Sequence, residues 1–202
     1  MKKILVSRTD KSQFPKGILE HKIDQINWKE FPYQPKVSFA IAYNNSAIFL
    51  NFLITEKEIR HENTTINSAV WEDSCVEFFI DFEDEKGYYN FEFNCIGTPL
   101  IGFGKNKTER SHLPEAIVSL MKIDSDLVKN TTGDYSWELT IEIPFPVFIH
   151  HKISGLRGEK AKSNFYKCGD LLVEPHFLSW NNIESASPNF HLTEYFGELK
   201  FE

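Results

Sequence analysis

The residues of this chain best suited to chemistry begin at Val70-Trp71-Glu72-Asp73 and run on through Cys75-Val76-Glu77-Phe78-Phe79-Ile80-Asp81. An indole stands at the mouth of a strand, and the carboxylate of Glu77 follows on that strand. Alternation turns Val76, Phe78, Ile80 and Phe82 to one side and Glu77, Phe79 and Asp81 to the other. A flat apolar ring beside a hydrogen-bond acceptor suits a sugar. The ring covers the C–H face of a pyranose, and the carboxylate takes hydroxyl protons. The plainer alternative is a core tryptophan with a solvated glutamate.

A second alternating run, Tyr88–Cys95, places Tyr88, Asn90, Glu92 and Asn94 on one face and turns Tyr89, Phe91, Phe93 and Cys95 to the core. Together the two runs read as a polar sheet face, on which Asn90 and Asp81 are expected to be solvated. If the strands are neighbours, Glu77 and Glu92 come within the ~5–6 Å that a retaining glycosidase uses. A glycoside hydrolase or lyase using these two carboxylates is therefore one rival reading. An interaction module with a degenerate pocket is another. No Gly-x-Ser-x-Gly elbow is present. Met121 is the one internal methionine and the histidines show no ligand spacing, which disfavours haem.

These residues need strands to hold them, and the chain is made of little else. Lys36–Tyr43, Ala47–Thr55, Val76–Phe82, Tyr88–Cys95, Pro99–Phe103, Ile117–Ile123, Tyr135–Ile143, Asn164–Cys168, Phe177–Trp180 and Gly197–Phe201 all read as strands. Asn44-Asn45-Ser46 is a hairpin turn. Single helical turns are expected at Pro146–His151 and Glu56–Glu62. About ten short strands with little helix predict an all-β, antiparallel, jelly-roll-like sandwich. One domain spans residues 1–202, with 1–35 as an extended arm wrapped on the outside.

The net charge of −7 and the lack of any basic cluster beyond Lys2-Lys3 argue against nucleic acid. No apolar run reaches membrane-spanning length. With no signal segment in the chain, the expectation is a cytoplasmic protein unless a leader was removed. The three cysteines, Cys75, Cys95 and Cys168, are expected to be buried free thiols, with a Cys75–Cys95 bridge disfavoured by opposite strand parity. Trp28, Trp137 and Trp180 read as core.

The ordered set Trp71-x-Asp73-x-x-x-Glu77-x-Phe79-x-Asp81, Tyr88-Tyr89-x-Phe91-x-x-Asn94 and the closing Phe196-Gly197-x-Leu199-x-Phe201 resembles the family 9 carbohydrate-binding modules, part of a wider set of DOMON-like sandwich domains. The resemblance implies a non-catalytic module that supports glycan degradation by binding an oligosaccharide or polysaccharide, and a monomer is expected. It also implies a sugar ring held between Trp71 and Phe190, with Glu77 as acceptor and Asn94 and Tyr166 beside it. Phe190 stands where the family has Trp, and Glu92 where it has Arg, so a guanidinium has become an acceptor. His191, next to Phe190, is our candidate replacement donor. No cofactor is required. The family's structural calcium makes the acidic run Asp81–Glu85 a loose candidate, although a charged hairpin turn explains it as well.

Overall fold

The computed structural model describes residues 1–202. Its strands in chain order are β1 (Lys3–Arg8), β2 (His21–Lys22), β3 (Gln25–Ile26), β4 (Lys36–Tyr43), β5 (Ala47–Glu56), β6 (Cys75–Asp81), β7 (Tyr88–Asn94), β8 (Pro99–Gly104), β9 (Arg110–His112), β10 (Lys122–Lys129), β11 (Tyr135–Pro144), β12 (Lys160–Cys168), β13 (Phe177–Ser179) and β14 (Gly197–Phe201). One four-residue helix, α1 (Glu115–Val118), interrupts them. No helix is long and apolar enough to cross a membrane.

The front sheet runs β14-β12-β6-β7-β8-β9, with β13 and β3 beside β12. The back sheet runs β10-β11-β5-β4, with β2 on β4. Neighbours are antiparallel throughout, except at β1. This strand runs parallel to β14 through Lys3–Val6 and parallel to β4 through Ser7 and Arg8, and so joins the two sheets at one side. The arm is thus not wholly external, because Ile4 and Val6 alternate into the core.

The inner faces meet in a core of 36 buried residues, because both sheets turn their even-spaced apolar rows inward. Phe165 of β12 lies between Phe39 of β4, with centroids 3.6 Å apart, and Phe78 of β6, at 5.0 Å. Ion pairing also crosses this core. Lys167 Nζ sits 2.9 Å from Glu56 Oε2 with both side chains fully buried, an ion pair not aligned as a hydrogen bond. Glu56 Oε1 accepts from Trp137 Nε1 at 2.7 Å, and Lys167 Nζ donates to His176 Nε2 at 2.8 Å. Burial, then Lys167, pushes His176 down to about 3, so the ring is neutral.

Three expectations are corrected. Residues 117–123 do not form a strand: α1 and a turn occupy the first part, and the strand is Lys122–Lys129, whose residues alternate between half-buried and exposed. Residues 56–62 make no helical turn. The outer face of the front sheet is not a solvated polar face either. A second cluster of eleven buried residues, including Trp28, Phe79, Tyr88, Tyr166, Phe190 and Phe196, covers it, and Asn90 is buried there. The cover comes from Trp28 and the segment between β13 and β14.

Candidate functional site

Beneath that cover, the outer face of β6, β7 and β8 floors a cavity of about 270 Å³. Trp71, Glu77, Glu92, Phe190 and His191 all line it. Asn94 and Tyr166 do not reach it. Both hold residues that do.

Trp71 sits in a 3-10 turn, Val70–Glu72, whose neighbour Val70 is buried in the second cluster. The indole remains 39% exposed. Asp73 clasps this turn. Its carboxylate takes the Arg60 guanidinium, the backbone N–H groups of Glu62 and Asn63, and the Asn94 amide at 2.9 Å. Burial pushes the Asp73 carboxyl upward, but these hydrogen bonds, led by Asn94, outweigh it and hold it below its usual value. Asn94 therefore anchors the loop that presents Trp71. On the far side, Tyr166 stacks flat on Phe190 at 4.2 Å and donates its hydroxyl to the Phe190 carbonyl at 3.0 Å. One face of the Phe190 ring is fixed by that stack, and the residue is 8% exposed.

Glu77 and Glu92 are register partners on β6 and β7, side by side on the outer face. Burial first, then the charge of Glu92, pushes Glu77 well above the usual carboxylate range. Burial raises Glu92 to about 7, against the Asn90 amide at 2.7 Å and the Arg110 charge, which favour its ionised form. Both carboxyls of the floor are thus pushed toward their protonated forms, because two adjacent buried carboxylates cannot both ionise at low cost. Asp170 at the rim is raised to about 6 by burial.

The guanidinium missing from position 92 arrives from another strand. Arg110 of β9 reaches across β8, donating to the Asn90 side-chain oxygen, to Tyr88 Oη at 3.0 Å and to His191 Nδ1 at 2.7 Å. Because Arg110 can only donate, His191 Nδ1 accepts and the ring hydrogen sits on Nε2. Burial, then Arg110 and Lys107, lowers His191 to about 3, so it is a neutral donor. The path over β8 is open because Gly102 lies beneath. A Cβ there would stand 2.5 Å from Asn90 Oδ1 and 3.1 Å from Arg110 Nε. Arg110, Lys107, Asp170 and Phe177 were not singled out from the sequence, and Asn90, expected to be solvated, is buried in the cavity floor. The signal that could have found Arg110 is Gly102 and Gly104, which bare the outer face of β8 for a long side chain from its neighbour.

The acidic run Asp81–Glu85 forms the β6–β7 hairpin, with Glu83 and Glu85 at positive φ of 59° and 63°. Asp81 accepts from the Glu83 N–H, and Asp84 takes the Lys86 backbone N–H and His151. These carboxylates brace the turn and do not converge, so the run does not fit a calcium cradle. All three cysteines are buried free thiols.

The Glu92 environment sets one expectation for stability. A carboxyl whose pKa rises from 4.5 to about 7 on folding favours the fold fully below pH 4.5 and loses that contribution as pH climbs to 7, a change of about 3 kcal/mol. Glu92→Gln keeps the acceptor for Asn90 and cannot ionise. Its melting temperature should match wild type near pH 4.5 and exceed it at pH 8, by calorimetry at both values. An offset equal at the two pH values would refute the assignment.

Residues 11–201 match Carbohydrate-binding family 9. No curated protein matches the chain. Among solved structures, a candidate carbohydrate-binding protein from Bacteroides uniformis ATCC 8492 superposes with a TM-score of 0.93 at 38% identity, covering 100% of this chain and 99% of its own. A family 9 carbohydrate-binding module from Caldicellulosiruptor kristjanssonii superposes with a TM-score of 0.68 at 11% identity, both as its glucose complex, 96% covered, and as its cellotriose complex, 94% covered, each against 100% of this chain. At that identity the likeness speaks for the fold. The family match over nearly the whole length is decisive: this chain belongs to carbohydrate-binding family 9, a family of non-catalytic modules.

Proposed function

We propose that the chain binds one ring of an oligosaccharide or polysaccharide in the cavity above β6–β8, in support of glycan degradation. Trp71 and Phe190 supply apolar planes for the C–H faces, and Arg110, Asn90, Glu92 and His191 fix the hydroxyls. One observation carries this reading: a half-exposed indole and a three-partnered guanidinium line the same cavity, with acceptor and donor groups side by side between them. A sugar hydroxyl both donates and accepts, so such a mixed row matches it better than a single-sign patch would. The glucose and cellotriose complexes of the Caldicellulosiruptor module support a glucan-like ligand.

Titration calorimetry with glucose, cellobiose and cellotriose tests the proposal. One shallow site predicts micromolar to millimolar affinity. Trp71→Ala should weaken binding roughly tenfold, since an aromatic plane contributes about 0.5–1.5 kcal/mol beyond the area it buries. Its melting temperature should stay within a few degrees of wild type, because a half-exposed ring is not core. Unchanged affinity, or collapse of the fold, would remove Trp71 as a platform.

A further inference from the structure

Two thiols that the saccharide reading does not use converge beside the cavity. Cys75 on β6 and Cys168 on β12 are register partners, so both side chains project from one rung of the outer face. Glu77, two residues along β6 on the same face, stands diagonal to Cys168. The pleat brings the two sulfurs and a Glu77 carboxyl oxygen within 4.8 Å of one another.

Glu77 gives this arrangement a direction. Its side chain is 3% exposed, and its one hydrogen bond is the 3.1 Å contact from the Cys168 thiol. A thiol is a weak donor, so the protein itself gives this cavity-lining carboxyl little hydrogen bonding. Glu77 and Cys168 line the cavity while Cys75 lies behind them, which provides an entry path and leaves one side of the cluster open.

We propose that Cys75, Cys168 and Glu77 form a binding site for a thiophilic d10 cation such as Zn²⁺, with its fourth position facing the cavity. Two sulfurs each about 2.3 Å from a tetrahedral ion lie roughly 3.8 Å apart, so the three groups need close by only about an ångström. Two thiolates select against calcium and magnesium, which take oxygen ligands. Binding exchanges the ion for the two thiol protons, and for any proton Glu77 carries, which leave to solvent; no oxidant takes part. Water completes the coordination in the absence of any other ligand.

The probe is Cd²⁺ added to phosphine-reduced protein, read by the near-ultraviolet thiolate-to-cadmium charge-transfer band. The expected result is a band saturating at one equivalent per chain, and a melting temperature raised by roughly 5–10 °C in Zn²⁺ at a hundredfold excess over Kd. Cys75→Ser should abolish the band and Cys95→Ser, outside the cluster, should keep it. Glu77→Gln should weaken Cd²⁺ binding at least tenfold, which provides a second variant should Cys75→Ser fail to fold. No band in wild type, a band that survives in Cys75→Ser, or Cd²⁺ affinity unchanged in Glu77→Gln would overturn the site.

Discussion

Replacing Lys167 with methionine should lower the melting temperature by roughly 6–20 °C. Lys167 is the one cation inside the sandwich core, and Glu56 opposite it is equally sealed from water. Removing the lysine leaves a buried carboxylate with the Trp137 indole as its one hydrogen-bond donor and the neutral His176 ring 3.8 Å away, and breaking a buried pair in this way costs about 3–5 kcal/mol. For a domain of this size each kcal/mol moves the transition about 2–4 °C. The pair itself contributes far less than its rupture costs, because both charges were taken out of water to form it. Glu56→Gln combined with Lys167→Met should therefore recover more than half of the loss while keeping an acceptor for Trp137. Calorimetry of the double-mutant cycle decides the point. A double variant as unstable as Lys167→Met alone would show that the lysine acts through packing and not through the carboxylate.

Arg110→Lys should weaken saccharide binding about tenfold to a hundredfold. Lysine keeps the charge but not the planar fork that meets Asn90, Tyr88 and His191 together. Hydrogen bonds to a charged group are worth about 1.5–3 kcal/mol, and each 1.4 kcal/mol is a factor of ten. Gly102→Ala should produce a similar loss although glycine offers no side chain to a ligand, because the added methyl displaces the Asn90 amide and the guanidinium together. Calorimetric titration of both variants tests this. Wild-type affinity in Arg110→Lys would mean that the guanidinium braces the floor and touches no sugar.

The strands that alternate without interruption were legible from the residues alone. Lys36–Tyr43 and Gly197–Phe201 begin and end where the pattern says, and Tyr135–Ile143 is extended by one residue. The strand Lys122–Lys129 was hidden because its row of Lys122, Asp124 and Asp126 faces water with only moderately apolar residues behind it. β1 was hidden for a different reason. Its six residues carry two buried side chains, and only a partner nearly the whole chain away makes them a strand. At the site, the Glu77–Glu92 pairing followed from alternation on adjacent strands, and Trp71 from its place at the mouth of the first of them. Arg110 did not, because register between β7, β8 and β9 places it, and no local pattern around residue 110 reports a cavity two strands away. Asn94 and Tyr166 were read as contacts when they are supports. A buried polar group reads the same in sequence whether it holds a ligand or another side chain.

The insertion of β1 has a kinetic consequence. The pairings of β5 with β11 and of β6 with β12 already close long loops, from Ala47 to Pro144 and from Cys75 to Cys168, but β1 must find β14, at the other end of the strand order. The entropic penalty of so long a closure exceeds that of a twenty-residue loop by only about 2 kcal/mol, so equilibrium stability hardly registers it. The folding rate does, because contacts of high sequence separation form late. Until β1 docks, β14 keeps one edge unpaired and β4 is covered on that side only by β2 at Ser38 and Phe39, and bare edges recruit strands from other chains. The interval between synthesis of β14 and the seating of the six residues of β1 is when this sandwich is most exposed to aggregation.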